Sequence, residues 1–250
     1  MTNNAIVCYD CGIMSGHSKW STIKHQKGVK DARRGKIFSK LAMQIALGAK
    51  AGADLSMNPA LRLVVAEAKR AGMPKDNIDR AILRGSGKAG GAELKEAVYE
   101  AYGVSGAAMV IKTITDNSNR ILAEIRGVLN KYGGKLAGQG AVAYQFSQMG
   151  EIAIGKNLVS NKDELELELI DQGLEDWIDA DDRFIVHTQA ENLTRIAKFL
   201  AEHKIEPLAQ KIILKPANFL ELSDDLVKKN QVILEKLEEL DDVQEVFVNF

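Results

Sequence analysis

Cysteine, histidine and long hydrophobic runs are all scarce in this chain of 250 residues. No stretch of 18 or more apolar residues occurs, which argues against a transmembrane helix. The first 13 residues contain no Lys or Arg, so we expect neither a secretory signal nor a transit peptide, and the predicted location is the cytoplasm. With 46% hydrophobic and 27% charged residues, the composition is that of a globular protein and excludes a disordered chain or a disulfide scaffold.

The two cysteines form a single C-x-x-C motif, Cys8 and Cys11. A thioredoxin-like site needs such a pair at the start of a helix in a βαβ unit, and a zinc site needs two further ligands at finger-like spacing. His17 and His25 follow, but their spacing matches no zinc template. We therefore predict no metal, no cofactor and no redox function, and we interpret residues 1–13 as a flexible leader.

The net charge of −1 is small because two oppositely charged parts of the chain cancel each other. Between residues 14 and 88 there are 16 Lys and Arg against five acidic residues, a net charge of +11, whereas residues 89–250 carry −11. The total alone would argue against binding to nucleic acid, but a basic module joined to an acidic one favours it.

The basic part is predicted to be a small helical bundle. Asn58-Pro59 is typical of an N-cap followed by proline at the first helical position, and Gly72 with Pro74 indicates a stop, which predicts a helix from Asn58 to Ala71. Two further helices are predicted at 30–51 and 75–84. Apolar residues recur at helical spacing in all three: Phe38, Leu41, Ala42, Ile45 and Ala49; Leu61, Val64, Val65 and Ala68; Ile78, Ala81 and Ile82.

A glycine-rich linker at 85–91 separates the bundle from a part in which strands alternate with helices. Strands are predicted at 94–102, 107–115 and 141–146, and a helix at 117–132 that ends at Gly133-Gly134. A helix at 224–240 and a strand at 243–249 cannot form a stable unit alone, so we expect them to complete this first α+β set.

A second α+β unit lies between those pieces. Its strands are predicted at 151–154, 174–178, 183–187 and 208–214, and its helices begin near Asn161 and at Glu191. The pair Thr188 and Glu191 is interpreted as a capping box, and Asn161 with Glu164 resembles one. The alternation of leucines from 165 to 169 would also suit a strand, but the capping pattern favours a helix. The order β-α-β-β-α-β is typical of a ferredoxin-like domain.

The predicted fold class is therefore a multidomain α+β protein. An N-terminal helical bundle is followed by two α+β, ferredoxin-like domains, one inserted in the other. The predicted boundaries are 1–13 for the leader, 14–91 for the basic domain and linker, 92–148 with 216–250 for the first α+β domain, and 149–215 for the inserted one.

Few residues are arranged for catalysis. His187 and His203 are predicted at the ends of a strand and a helix, where C-terminal capping is the ordinary role. The run Gly85-Ser86-Gly87-Lys88 is not a phosphate loop, because Ile82 and Ala89 stand where that motif needs Gly and Ser or Thr. We predict a protein that is not an enzyme.

The polar run Thr115-Asp116-Asn117-Ser118-Asn119-Arg120 leaves two alternatives open. It lies where a strand passes into a helix, so Asp116 or Asn117 would cap the exposed backbone N–H groups. Alternatively, these side chains and Arg120 face a partner at the carboxyl end of the strand.

The strongest functional pattern is in the basic part. On a helical wheel Arg33, Lys36 and Lys40 fall within about 60° of one another, opposite the apolar face, and form a cationic ridge. Upstream cations surround Trp20, which suits contact with phosphates and stacking on an unpaired base. The alternative is a solvated helix with Trp20 packed on the bundle. The predicted nucleic-acid contacts are His17, Lys19, Trp20, Lys24, His25, Lys27, Lys30, Arg33, Arg34, Lys36 and Lys40.

Several motifs carry a family resemblance. They are Gly16-His17-Ser18-Lys19-Trp20-Ser21-Thr22-Ile23-Lys24-His25, Asp31-Ala32-Arg33-Arg34-Gly35-Lys36-Ile37-Phe38-Ser39-Lys40, Asn58-Pro59-Ala60-Leu61-Arg62, Pro74-Lys75-Asp76-Asn77-Ile78, Thr115-Asp116-Asn117, Gly133-Gly134 and Leu240-Asp241-Asp242-Val243-Gln244. Over residues 14–250 the chain resembles the YebC/PmpR family. The resemblance implies three domains and a cytoplasmic regulator without catalytic residues. Bacterial members are described as DNA-binding transcriptional regulators. Mitochondrial relatives are translational activators, and bacterial relatives are implicated in relieving ribosome stalling.

Three functional hypotheses remain. The leading one is a DNA-binding transcriptional regulator, and the second is a ribosome-associated translation factor that binds rRNA; an enzyme ranks below both. The sequence shows no recognition helix in a dimeric half-site arrangement, which indicates recognition of shape or backbone. We expect a monomer with no membrane partner. Replacement of Arg33, Lys36 and Lys40 by Ala should make the slope of binding affinity against salt concentration, on logarithmic axes, shallower by up to about three units.

Overall fold

The computed structural model describes residues 30–87, 90 and 92–250, with side chains from Arg34 onward. Its elements in chain order are α1 (Lys30–Ala49), α2 (Pro59–Arg70), α3 (Lys75–Gly85), β1 (Lys95–Tyr102), β2 (Ala108–Thr115), α4 (Ser118–Tyr132), β3 (Lys135–Ala137), β4 (Phe146–Gly155), α5 (Lys162–Asp171), β5 (Leu174–Asp179), β6 (Arg183–Gln189), α6 (Leu193–Glu202), β7 (Ala209–Pro216), α7 (Asp224–Glu238) and β8 (Val243–Val248). Among the described residues, no helix is both long and apolar enough to cross a membrane.

The first three helices pack as a bundle around Leu41, Ile45, Leu61 and Val65, which are all buried. Asn58 begins α2 as predicted: its side-chain oxygen accepts the N–H of Leu61 at 3.0 Å. Its amide nitrogen donates to two carbonyl oxygens of the preceding turn, at 2.9 and 2.8 Å. One side chain therefore caps α2 and ties it to the end of α1.

Sheet 1 has the strand order β3-β1-β2-β8, and sheet 2 the order β5-β6-β4-β7; every pair is antiparallel. Helices α4 and α7 cover sheet 1 through a core that includes Ile121, Ile125, Leu129 and Ile233. Helices α5 and α6 cover sheet 2 in the same way. The multidomain α+β class is confirmed, and β4 to β7 follow the predicted β-α-β-β-α-β order.

The predicted strand at 141–146 is wrong. Sheet 1 instead receives the short β3, and residues 143–145 form a 3-10 turn before β4 begins at Phe146. The buried carboxylate of Glu100 explains the difference, because it accepts the N–H groups of Gly140, Val142 and Ala143 at 2.6, 2.6 and 2.9 Å. These donors are satisfied by a side chain, so the segment pairs with no strand.

The predicted capping box of Thr188 and Glu191 is also wrong. Thr188 is a fully buried residue of β6, and its hydroxyl donates to the carbonyl oxygen of Gly173 at 2.6 Å. Helix α6 begins only at Leu193, after a 3-10 turn. The predicted cap Asn161 is confirmed, since its side chain accepts the N–H of Glu164 at 3.4 Å.

Of two helix ends predicted at glycines, one is confirmed and the other is displaced. Gly133 ends α4 with φ of +87° and donates its N–H to Leu129, as predicted for a left-handed cap. Gly85, predicted as the first linker residue, is instead the last residue of α3. A Cβ atom there would lie 1.9 Å from the carbonyl oxygen of Ala46, so α1 and α3 approach each other too closely for a side chain.

Candidate nucleic-acid interface

Lys36 and Lys40, two of the three residues of the predicted ridge, lie on the side of α1 opposite the apolar face. Leu41, Ile45 and Ala49 are buried in the bundle, whereas Lys36 is exposed and Lys40 is half-buried. Lys36 Nζ donates to the carbonyl oxygen of Glu239 at 3.2 Å, and Lys40 Nζ donates to that of Gln244 at 3.4 Å.

These two lysines therefore bridge the bundle and sheet 1. Glu239 is the C-cap of α7, where unpaired carbonyl groups and the helix dipole favour a cation. One turn further along α1, Gln44 donates to the side-chain oxygen of Gln244 at 3.2 Å. Lys36, Lys40 and Gln44 thus contact the end of α7 and the start of β8, a structural role that the sequence pattern did not indicate.

Arg34 is held within the bundle. Its guanidinium lies 5.4 Å from the ring centroid of Phe38, and one nitrogen donates to the carbonyl oxygen of Gly72 at 3.4 Å. Both contacts leave Arg34 exposed. It contributes positive charge to the surface where the turn between α2 and α3 meets α1.

The other predicted contacts lie outside the described residues or side chains. These are His17, Lys19, Trp20, Lys24, His25, Lys27, Lys30 and Arg33, together with Cys8 and Cys11. Their role in binding stays a prediction.

Three further cations of the bundle were counted in its charge but were not singled out by the sequence pattern. Arg62, Lys69 and Lys75 are exposed, and none of them forms an ion pair or hydrogen bond with any residue in the described part of the chain. Arg62 and Lys69 are seven residues apart and share one face of α2. Free cations of this kind are available to an external anion.

The polar run after β2 is used within the molecule. Asn117 caps α4, because its side-chain oxygen accepts the N–H of Arg120 at 3.1 Å. Arg120 bonds Asp242 at 2.6 Å and Asp116 at 2.9 Å, and Arg84 of the bundle lies 3.7 Å from Asp116. The structure supports the capping alternative, and the cluster ties α3 to sheet 1.

A cleft of about 1050 Å3 lies between α2 and sheet 2. The carboxylates on its wall are Glu67, Glu151, Asp181, Asp182, Glu206 and Glu245, and the cations are Arg70, Arg183 and Lys211. Six carboxylates against three cations repel a phosphate backbone. The cleft is therefore the wrong surface for nucleic acid, whereas the outer side of α2 carries the free cations.

A row of ionisable side chains crosses sheet 2 beside this cleft. Asp176, His187, Glu151 and Lys211 are cross-strand neighbours on β5, β6, β4 and β7. His187 Nε2 lies 3.3 Å from Glu151, and its Nδ1 lies 3.6 Å from Asp176. His187 is thus a buried residue of β6 rather than a strand cap, and local sequence could not reveal carboxylates contributed by two other strands.

The row reaches sheet 1 through Lys211, whose Nζ lies 2.8 Å from Glu245 and 3.7 Å from Glu151. Burial lowers the pKa of Lys211, but the two carboxylates outweigh burial, so the net shift is upward and the lysine stays charged. Lys211 thus pairs with a carboxylate of the neighbouring strand β4 and with one of β8 in the other sheet.

No group of three or more His, Cys, Asp or Glu residues is placed to hold a metal within the described ranges. His203 is the C-cap residue of α6, and its Nδ1 lies 2.9 Å from the carbonyl oxygen of Phe199, in line with the predicted capping role.

Comparison with known proteins identifies the family. Residues 18–88 match the TACO1/YebC protein N-terminal domain, and residues 94–250 match the TACO1/YebC second and third domain. The chain belongs to the TACO1/YebC family. This confirms the resemblance read from the motifs, and the two matched regions meet at the glycine-rich segment after α3.

Relatives of the family are similar along nearly the whole chain. A "Probable transcriptional regulatory protein" of Maridesulfovibrio salexigens is 41% identical over 94% of this chain and 95% of its own. A protein of the same description from Thermotoga maritima is 42% identical over 95% and 94%. The crystal structure of a conserved hypothetical protein from Aquifex aeolicus matches with a TM-score of 0.84 and 36% identity, over 93% of this chain and 96% of that one.

Proposed function

We propose that this TACO1/YebC family member is a non-enzymatic nucleic-acid-binding regulator of gene expression that acts in the cytoplasm as a DNA-binding transcriptional regulator. The observation that carries the proposal is the distribution of free cations. Arg62, Lys69 and Lys75 are exposed without partners among the described residues, on a bundle whose sequence carries +11. The names of the relatives as transcriptional regulatory proteins support the same class.

Binding through phosphates follows from this chemistry. Each Lys or Arg that neutralises a phosphate releases condensed counterions, so affinity falls steeply with salt. Lys36 and Lys40 are engaged with carbonyl oxygens of sheet 1, and binding through them would replace those bonds. The cations on the outer side of α2 and at the start of α3 have no such bonds to lose.

The test is the salt dependence of affinity for a DNA duplex. The triple variant replaces Arg62, Lys69 and Lys75 by Ala. The negative slope of the logarithm of the association constant against the logarithm of salt concentration should become about 2–3 units shallower, close to 0.9 per lost phosphate contact. The matched control replaces Lys198, Lys228 and Lys229, three exposed lysines outside the bundle, and should keep the wild-type slope. Equal slopes for both triple variants would contradict a binding surface on the bundle.

Two further measurements on the wild-type protein distinguish a transcriptional regulator from a translation factor. A transcriptional regulator should prefer particular promoter sequences over random duplex at one salt concentration. Co-sedimentation with ribosomes, with no sequence preference on promoter DNA, would overturn the transcriptional proposal in favour of an rRNA-binding translation factor.

A further inference from the structure

The segment between β3 and β4, residues 138–145, presents an aromatic side chain to solvent; we call it the Tyr144 loop. Tyr144 is 77% exposed, the most exposed aromatic residue in the described part of the chain. Its hydroxyl accepts a hydrogen bond from the side-chain nitrogen of Gln145 at 3.5 Å. Aromatic rings exposed in this way are the platforms on which unpaired bases stack in proteins that bind single strands.

The backbone that carries this ring is fixed at several points. Glu100 accepts three of its N–H groups, and the hydroxyl of Tyr102 donates to the carbonyl oxygen of Ala141 at 2.8 Å. Gln145 is held by the side chain of Asn249 at 3.2 Å and by the backbone N–H of Ala217 at 2.8 Å. A ring on a fixed loop loses little conformational entropy when it binds a partner.

The chain on either side of the loop carries cations although the domain is acidic, and the carboxylate that contacts the loop, Glu100, is buried. From residue 125 to residue 150 the chain contains Arg126, Lys131 and Lys135 and no Asp or Glu. Lys131 and Lys135 are exposed. Lys135 Nζ lies 5.5 Å from the ring centroid of Tyr102, the residue that anchors the loop, so this cation is close to the segment that carries Tyr144.

We propose that the Tyr144 loop is a second contact surface, which binds an unpaired nucleotide of a nucleic-acid strand. Tyr144 stacks on the base while Lys131 and Lys135 neutralise neighbouring phosphates, the combination used to hold single strands. A protein partner fits less well, because the loop presents a single exposed ring, with Lys135 beside its anchoring residue Tyr102, rather than an apolar patch. The proposal rests on the proposed function and adds a site outside the bundle.

The experiment measures the affinity of the full chain for a labelled 12-nucleotide single strand, as RNA and as DNA of the same sequence, and for the DNA duplex. Tyr144→Ala should weaken single-strand binding about tenfold, which is the loss of one stacked base, and should leave duplex binding unchanged. Tyr144→Phe keeps the ring and should bind like wild type. Replacing Lys131 and Lys135 by Ala should reduce the single-strand salt slope by about 1.4 units.

Each outcome decides the matter. Wild-type single-strand binding by Tyr144→Ala overturns this proposal alone, and so does an equal loss on duplex and single strand, because a paired base offers no free face. A wild-type chain that binds none of the probes overturns the proposed function as well. A loss on RNA but not on DNA supports the loop and identifies RNA as its ligand. Because Tyr144 is exposed, circular dichroism of the Tyr144→Ala variant should match wild type.

Discussion

At the residue scale, Glu100 decides the path of the chain between β3 and β4. Its carboxylate is buried, and burial by itself raises the pKa of a carboxyl group. The N–H groups of Val142, Gly140 and Ala143 outweigh that effect and leave the pKa of Glu100 below its usual value. The sequence shows only a glutamate in a strand, because its three donors are about 40 residues away along the chain.

The first prediction concerns this carboxylate. Glu100→Gln should lower the free energy of unfolding by about 2–3 kcal/mol at pH 7, because buried N–H groups lose a charged acceptor. Urea denaturation measures the loss. Glu96→Gln is the matched control on the same strand, since Glu96 is exposed, and it should change stability by less than about 0.5 kcal/mol.

The pH dependence of that difference follows from the direction of the pKa shift. Because the pKa of Glu100 is lower in the folded state, its contribution is fully present above the unfolded pKa of about 4.3 and is lost as the pH falls through the folded value. The stability gap between wild type and Glu100→Gln should therefore shrink below about pH 4.3. A gap that is constant from pH 7 to pH 3 would show that ionisation of Glu100 is irrelevant.

At the element scale, helix caps could be predicted from local sequence except where the capping residue belongs to a buried strand. The caps Asn58, Asn117 and Asn161 act within three residues of themselves, so their patterns are readable in sequence and all three are confirmed. Thr188 matches the same pattern, but it lies within β6, and its hydroxyl donates to the carbonyl oxygen of Gly173 instead of to a helix. When a capping motif overlaps a buried strand, the tertiary contacts of that strand determine whether the residue caps a helix.

Two helical glycines give the second prediction. Gly85→Ala should cost about 1–3 kcal/mol or more, because its methyl group would overlap the backbone of α1 at Ala46. Gly35→Ala is the control: apart from the backbone of α1 itself, no atom of the described residues lies within 4 Å of the added methyl group. Alanine there should stabilise α1 by up to about 1 kcal/mol. Denaturation curves of both variants check the opposite signs, and equal effects would mean that helix propensity alone governs both sites.

At the scale of the whole molecule, the basic bundle is docked on acidic domains. Ala46 of α1 packs with Leu94 and Ile114 of the sheet 1 region, and Lys36 and Lys40 add hydrogen bonds beside it. Arg70 reaches the sheet 2 unit, where it donates to the carbonyl oxygen of Pro207 at 2.7 Å. The interface combines this apolar contact with hydrogen bonds from charged side chains to backbone carbonyl oxygens.

The third prediction tests this docking. Ala46→Arg should separate the bundle from sheet 1, because burying an unpaired guanidinium costs several kcal/mol while each polar bond across the interface contributes about 1 kcal/mol. Small-angle scattering should show a larger radius of gyration, with unchanged helix and strand content. Ala71→Arg, at an exposed position, should leave the radius unaltered, and a compact Ala46→Arg variant would contradict the docking.

The helices of the bundle, the β-α-β-β-α-β order from β4 to β7, the family and the separation of charge along the chain could all be predicted from the amino-acid sequence. These depend on local caps, periodicity and composition, which need no partner distant in sequence. The folded arrangement was needed to show which cations of the described residues are free, why residues 138–145 form a loop instead of a strand, and that His187 lies between carboxylates of two other strands. Those features arise when residues far apart in the chain compete for the same hydrogen bonds and ion pairs, a competition that only the folded geometry resolves.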